Sequence, residues 1–387
     1  MGTLDCKRLL ERSLQAIAQG HGDRGGPASS PVSRYLDPQR HRIERERVLW
    51  PMPTVVAAAT ALAEPGAFVT HDASGRPLLV VRAPDGRLRG YLNACRHRGT
   101  RLVGEAAGTA RRFVCPYHAW TYGLDGALLG RPHAEQFPHA PAQDCRLVEV
   151  PVAQRCGLVW AVATPASSFD WDGYFGGFGD ELESLGFDDR SVVWREREFA
   201  HPSNWKLTID AGLETYHVQY AHRKTIAGLF HDDMLVADSQ GPNRRLVLPK
   251  RSIATLAGAG DVDAALFGRH ANIIYFFFPN TLILWQGDHA NLSSVFAAAP
   301  DRSVVQARLL VPARFWSLRS DEHWRKNDEL FWSALDEDFA MMASIQSTLA
   351  SGANAALRFG ASEFVAAGFH QDVERLLGAE ADAGSCA

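Results

Sequence analysis

Cysteine is scarce in this chain: six residues in 387, at positions 6, 95, 115, 145, 156 and 386. That is too few, too widely spread, for a disulfide framework, and it fits a reducing compartment. Charge of one sign is also lacking. Lys and Arg number 40 against 44 Asp and Glu, for a net charge of -4. Such a balance leaves no electrostatic footprint for nucleic acid or an anionic membrane. No apolar run reaches spanning length; the richest, IIYFFFP at 273–279, reads as a buried strand. The charged start MGTLDCKRLL has no signal-like apolar core, so a cytoplasmic protein is expected. No glycine-rich phosphate loop follows a strand, so no nucleotide, flavin or nicotinamide site is expected within this chain.

What remains is an ordinary globular composition, 46% hydrophobic, long enough for two domains. The segment GDRGGPASSPV (22–32) reads as a loop or linker. From about 45 to 165, short apolar runs such as PLLVVRA alternate with turns such as PDG (84–86) and LDG (124–126), the texture of a compact all-β module. Beyond 166 the texture is mixed. A helix is expected at 204–222, strands at 245–248, 272–278, 281–286 and 304–311, and a long helix at 321–350.

Two of the six cysteines fall in CRHRG and CPYHAW, giving Cys95 with His97 and Cys115 with His118 on two loops of the β module. Four unrelated residues, a structural zinc site and a [2Fe–2S] cluster all remain possible. Structural zinc usually pairs cysteine with cysteine and histidine with histidine. A cluster in which two cysteines hold one iron and two histidines the other needs one ligand of each kind from each loop. Cys145 and Cys156 read as packing residues, and Cys6 and Cys386 lie near the chain ends.

The second constellation is NWKLTIDAGLETYHVQYAH, residues 204–222. His217 and His222 are five apart, roughly 140° around an ideal helix, so both reach one metal only if the helix bends or ends between them. Asp210, Glu214 and His217 follow at i, i+4 and i+7 along one stripe. Two histidines and one carboxylate form the ligand set of non-haem Fe(II) oxygenases. The run LDEDFAMMASIQ offers Asp336, Glu337 and Asp338 as the carboxylate.

Together the two motif sets resemble the large (α) subunit of Rieske non-haem iron oxygenases, over residues 36 to 350. The positions where respiratory-chain Rieske proteins carry a disulfide are Thr100 and Tyr117, which places the module with the ferredoxin and oxygenase branch. The resemblance implies an α+β chain: an all-β Rieske [2Fe–2S] module at 36–165, joined to a helix-grip catalytic domain at 166–387 on which 1–35 packs. It implies a [2Fe–2S] cluster on Cys95, His97, Cys115 and His118, and Fe(2+) on His217, His222 and Asp338, with Glu337 not a ligand. Glu214 matches the family's acid that bridges a cluster histidine of one subunit to an iron histidine of the next. Asn204 matches a residue near the iron, and Gln346 follows Asp338 by eight as in the family. Asp210 and Tyr216 are expected to support or pack.

The family further implies O2-dependent oxidation of a hydrophobic, aromatic small molecule, by a head-to-tail homotrimer without a β subunit. Electrons come from a separate NAD(P)H-dependent reductase of flavin and ferredoxin type. Oxidative N- or O-demethylation or quaternary-ammonium oxidation is the alternative reaction, and a Rieske electron carrier the alternative without catalysis. Ile274, Phe276 and Phe278, with Leu282 and Leu284, are candidates to line the substrate pocket. Neither nucleic acid nor membrane is an expected partner.

Overall fold

The computed structural model describes residues 2–166 and 168–378. Its contacts divide into two units. One comprises the chain up to Val48, Phe175–Phe187 and everything from Val192 onward; the other is Leu49–Tyr174 with Asp188–Ser191. Residues 36–48, expected within the β module, therefore belong to the catalytic unit. They are helical, Pro38–Glu44 followed by a π-turn at Arg45–Leu49, and carry the buried Arg40 and Glu44.

The β unit consists of small antiparallel sheets. The strand Leu78–Arg82 is central in a five-stranded sheet, paired with Ala67–His71 and Leu88–Leu92. Its run LLVV is buried on both faces, as its lack of polar alternation requires. The PDG and LDG turns lie where the sequence puts them, with Gly86 at φ 78° and Gly126 at φ 79°. A three-stranded sheet of Phe113–Val114, Thr121–Tyr122 and Leu128–Gly130 carries the second Cys–His loop.

The catalytic unit is built on a seven-stranded antiparallel sheet. Its strands are β1 (Val192–His201), β2 (Val236–Gln240), β3 (Asn243–Pro249), β4 (Ala271–Phe277), β5 (Thr281–Trp285), β6 (Ala290–Ala299) and β7 (Arg302–Val311), in spatial order β1-β7-β6-β5-β4-β3-β2. Strands β1, β2 and β6 were not expected; β1 (VVWREREFAH) is charged along half its length and lacks an apolar run. Four helices matter here: α1 (Trp205–Gly212), α2 (Val218–Ala221), α3 (Asp321–Leu349) and α4 (Phe364–Leu377). The 29 residues of α3 start at Ser320, whose side chain accepts from the His323 amide, with Asp321 and Glu322 favourable in the first turn. The helix crosses the sheet with Trp324 against Leu309 and Val311 and Phe339 against Phe199 (ring centroids 5.2 Å).

Other local expectations change as well. Residues 28–31, within the expected linker, pair as a strand with Ala356–Phe359. Cys6 is buried at the start of the helix Cys6–Gln19 rather than loose. The five described cysteines are free; Cys386 lies outside the described residues.

Candidate metal centres

The two Cys–His loops have the same backbone design. In the first, the Cys95 amide donates to the Thr100 carbonyl (2.8 Å) and the Gly99 amide returns to the Cys95 carbonyl (2.9 Å). In the second, the Cys115 amide donates to Trp120 (2.9 Å) and the Ala119 amide returns to Cys115 (3.0 Å). The residue four after each cysteine is left-handed: Gly99 at φ 75° and Ala119 at φ 54°. Glycine takes this conformation freely and alanine does not.

These loops bring the four expected residues together. Cys95 and Cys115 are buried, and the rings of His97 and His118 lie 4.7 Å apart. Both histidine Nδ1 atoms are buried and lack a hydrogen-bond partner among the described residues. Two orphaned imidazole nitrogens beside two buried sulfurs are the donor set that a cluster of this type takes. Trp120 stacks on His97 (4.9 Å, 6°) and fixes its ring. Burial lowers the His97 pKa, with the His118 and Arg98 charges adding to it. Tyr122 Oη accepts from the Arg96 amide (3.0 Å) and lies 3.3 Å from Cys95 Sγ, so its proton is left for the sulfur.

The second centre depends on the helix expected at 204–222 being broken. It ends at Gly212, where a Cβ would stand 2.6 Å from Leu282 of the sheet. One further turn, α2, has His217 as its N-cap and His222 as its C-cap. The two histidines thus flank a single turn and converge. His222 Nε2 lies 3.1 Å and His217 Nε2 3.5 Å from Asp338 Oδ1 of α3. Three donors on one face of a metal with bonds of about 2.1 Å stand roughly 3 Å apart, so these residues fit one ion.

Carboxylates hold the outer nitrogen of each histidine. His217 Nδ1 donates to Glu214, which also accepts the His217 amide (3.2 Å). His222 Nδ1 donates to Glu337 Oε2 (2.8 Å), which accepts Thr225 Oγ1 as well (2.7 Å). This fixes both tautomers with Nε2 facing the metal position. Burial by itself would lower both imidazole pKa values; the facing carboxylates outweigh it and raise them. Glu337 is held below its usual range, first by His222. Glu337 and Thr225 escaped the sequence reading, which weighed Glu337 only as a ligand; the helical neighbour of a ligand is the available signal.

Asn204 requires a correction. It caps α1 by accepting the Lys206 amide (3.0 Å), donates to the carbonyls of Tyr35 and Pro300, and is not among the residues lining the cavity at the triad. Its own amide donates to Gln346 Oε1 (2.8 Å), tying α1 to α3. The next two residues serve the same end: Trp205 Nε1 donates to Glu44 Oε2 (3.0 Å) and Lys206 Nζ reaches both Glu44 oxygens (2.8 and 2.7 Å). The motif Asn-Trp-Lys positions α1 and touches no metal ligand. Asp210 leaves the expected stripe, because the helix has ended before Glu214, and instead binds His370 Nε2 (2.9 Å).

Beside the triad lies a cavity of about 160 Å³, mostly apolar, bounded by α1, α2, the sheet and α3. That is close to the roughly 150 Å³ that holds one benzene-sized ligand. Ile274, Leu282 and Leu284 line it as expected. Phe276 and Phe278 do not: they pack on Phe369 of α4 (5.7 and 6.0 Å) and are fully buried. Phe230, Phe331 and Phe339 supply its aromatic surface instead, from segments that strand alternation cannot reveal.

The chain matches two family models, a Rieske [2Fe–2S] domain over residues 52–151 and the catalytic domain of the ring-hydroxylating alpha subunit over 189–379. It belongs to the Rieske oxygenase alpha subunits, whose cofactors are a [2Fe–2S] cluster and a mononuclear iron. Among relatives, the glycine betaine monooxygenase oxygenase subunit of Chromohalobacter salexigens is 28% identical, the match covering 78% of this chain and 75% of that one. The alpha subunit of chlorobenzene dioxygenase from a Cupriavidus species is 30% identical over 61% of this chain and 53% of its own. Chloroplastic choline monooxygenase of Spinacia oleracea is 30% identical over 50% of this chain and 45% of its own, so these two matches span about half of each relative. In fold the chain is similar to the quaternary ammonium Rieske monooxygenase CntA (TM-score 0.78, 21% identity, 91% of this chain and 96% of that one). It is also similar to naphthalene 1,2-dioxygenase from Rhodococcus (TM-score 0.73, 21% identity, 98% and 100%). Among the described residues no helix is long and apolar enough to cross a membrane.

Proposed function

We propose that the chain is the terminal oxygenase of a multicomponent system and that it monooxygenates a quaternary-ammonium or other N-methylated small molecule. The observation that carries the oxygenase reading is the convergence of His217, His222 and Asp338 on one position at the wall of an apolar cavity. Iron held there by one face supplies open positions for O2, and the cluster supplies stored electrons. The residues of this chain do the rest. Glu214 and Glu337 hold the proton on each outer imidazole nitrogen, so the inner nitrogens face the metal position.

The substrate class rests on likeness to the betaine, choline and carnitine-type enzymes. A second reading, oxidation of a neutral or aromatic hydrocarbon, is favoured by the cavity itself: its only ionisable lining residues, among those described, are Glu214, His217, His222 and Asp338. The test is turnover with a surrogate reductase, NADH and 18O2. Label from O2 in products of glycine betaine, choline or carnitine supports the first reading; label in products of benzene or chlorobenzene alone supports the second.

We further infer a homotrimer in which Glu214 passes electrons from a neighbour's cluster to His217, fed by a separate NAD(P)H-dependent reductase of flavin and ferredoxin type. Support comes from Glu214 accepting the hydrogen bond of the His217 ring, and from the inter-subunit electron transfer named for the carnitine-oxidising relative. Light scattering that gives a monomer would remove this path.

A further inference from the structure

Two polar side chains that line the cavity each carry a buried atom without a hydrogen-bond partner among the described residues. Asn272 on β4 and Asn291 on β6 both line it and are 7% and 3% exposed. Asn272 Oδ1 and Asn291 Nδ2 are buried without a hydrogen-bond partner among the described residues. Folded proteins rarely leave a buried amide unpaired, because the loss of its bonds to water is not recovered. Two such amides in one apolar cavity point to a ligand that completes them.

Asn291 stands opposite Leu309 of β7, and Leu309 clusters with Trp324 of α3. Asp338 is 14 residues further along α3, beside Phe339, whose ring meets Phe199 opposite Val305, the partner of Val295. From Asn291 to Val295 is four residues of strand, about 13 Å. Asn272 lies one row further from Val295, since the Asn291 row continues through Leu284 to Ile274. Along the sheet both amides thus lie away from the Val295 end of the cavity, and Asn272 stands opposite Leu248, which lines it too. The ionisable residues among those lining the cavity are Glu214, His217, His222 and Asp338, so a charge held by the amides would have no counter-ion beyond the triad and its partner. Rotating either amide by a half-turn exchanges its donor and acceptor, so the pair can serve a group that has both.

We propose that Asn272 and Asn291 are specificity-determining residues that hold an uncharged hydrogen-bonding group of the substrate, a carboxamide or hydroxyl. The proposal rests on the oxygenase reading and holds for either substrate class above.

The test measures binding to the iron-loaded protein without oxygen, by calorimetry, with two series that share a head and differ in the tail. One is (3-amino-3-oxopropyl)trimethylammonium, its carboxylate analogue and butyltrimethylammonium. The other is 4-methylbenzamide, 4-methylbenzoate and p-xylene. The carboxamide is expected to bind tightest in the series whose head the cavity accepts. Asn272→Leu and Asn291→Leu are expected to weaken the carboxamide about tenfold each and leave the apolar member unchanged or tighter. A second measurement needs no ligand: both variants lose an unpaired buried amide and are expected to melt at a higher temperature than the parent. Tighter carboxylate binding, equal carboxamide affinity in the variants, no binding of either carboxamide, or lower melting temperatures would each overturn the proposal. Labelled-oxygen turnover of any substrate separately shows whether the oxygenase reading stands.

Discussion

Glu337 Oε2 lies 2.8 Å from His222 Nδ1, and the acid one residue before Asp338 thereby orients the histidine that faces Asp338 in the proposed iron site. A single turn of α3 thus supplies both a proposed ligand and the group that aims another. Replacing Glu337 by Gln leaves the shape but weakens the acceptor and frees the ring of His222. Such orienting partners are worth roughly 10- to 100-fold in metal affinity. Metal analysis after dialysis is expected to find the mononuclear iron depleted, with two irons and the acid-labile sulfide of the cluster retained. Loss of the cluster iron in the same variant would contradict this role.

Tyr122 aims its hydroxyl proton at Cys95 Sγ because its oxygen is already accepting from Arg96. Hydrogen bonds to cluster sulfur favour the reduced, more negative state. The Tyr122→Phe variant is expected to lower the cluster potential by about 40 mV, the one-electron equivalent of a bond worth about 1 kcal/mol. Redox titration of the cluster's visible absorption reads the shift; an unchanged or higher potential counts against the bond.

Ala119 occupies the left-handed position that glycine fills in the sister loop. Relief of that strain is expected to stabilise the Ala119→Gly loop by about 1 kcal/mol, less the greater freedom of glycine in the unfolded chain. The expected readout is slower bleaching of the cluster in mild denaturant. Faster bleaching would mean that the alanine methyl contributes packing that outweighs the strain.

Glu44 is fully buried between Arg40 and Lys206. Burial by itself would raise its pKa, but Lys206 and then Arg40 outweigh it and hold the carboxyl below its usual range. With the folded pKa depressed, the stabilisation is complete above the unfolded value, about 4.3, and is lost as pH falls through the folded value. Lys206→Met leaves Glu44 with Arg40 as its remaining cation, beside the Trp205 indole N–H. Breaking a buried pair in this way is expected to destabilise the chain by about 3–5 kcal/mol at neutral pH. Urea titrations at pH 7 and pH 3 test both parts: the deficit is expected to shrink as the pH falls toward the depressed folded value of Glu44.

Short-range chemistry was written in the order of residues. Cys95, His97, Cys115 and His118 could be read from the sequence because both loops close within five residues, and the PDG and LDG turns because glycine alone fits them. The 3.6-residue period marked α3 because 29 residues repeat it. Convergence was not written there. His217 and His222 converge because α1 ends at Gly212 and one further turn lies between them; Gly212 lies close against Leu282, on a strand 70 residues further along the chain. The same limit explains Asn204, whose backbone and side-chain N–H groups are taken up by Gln346 and Tyr35, and Phe276, which has the periodicity of a pocket residue but is covered by Phe369. A local pattern specifies what a side chain can do; which partner it meets is fixed by packing between distant segments, and that exists only once the chain has folded.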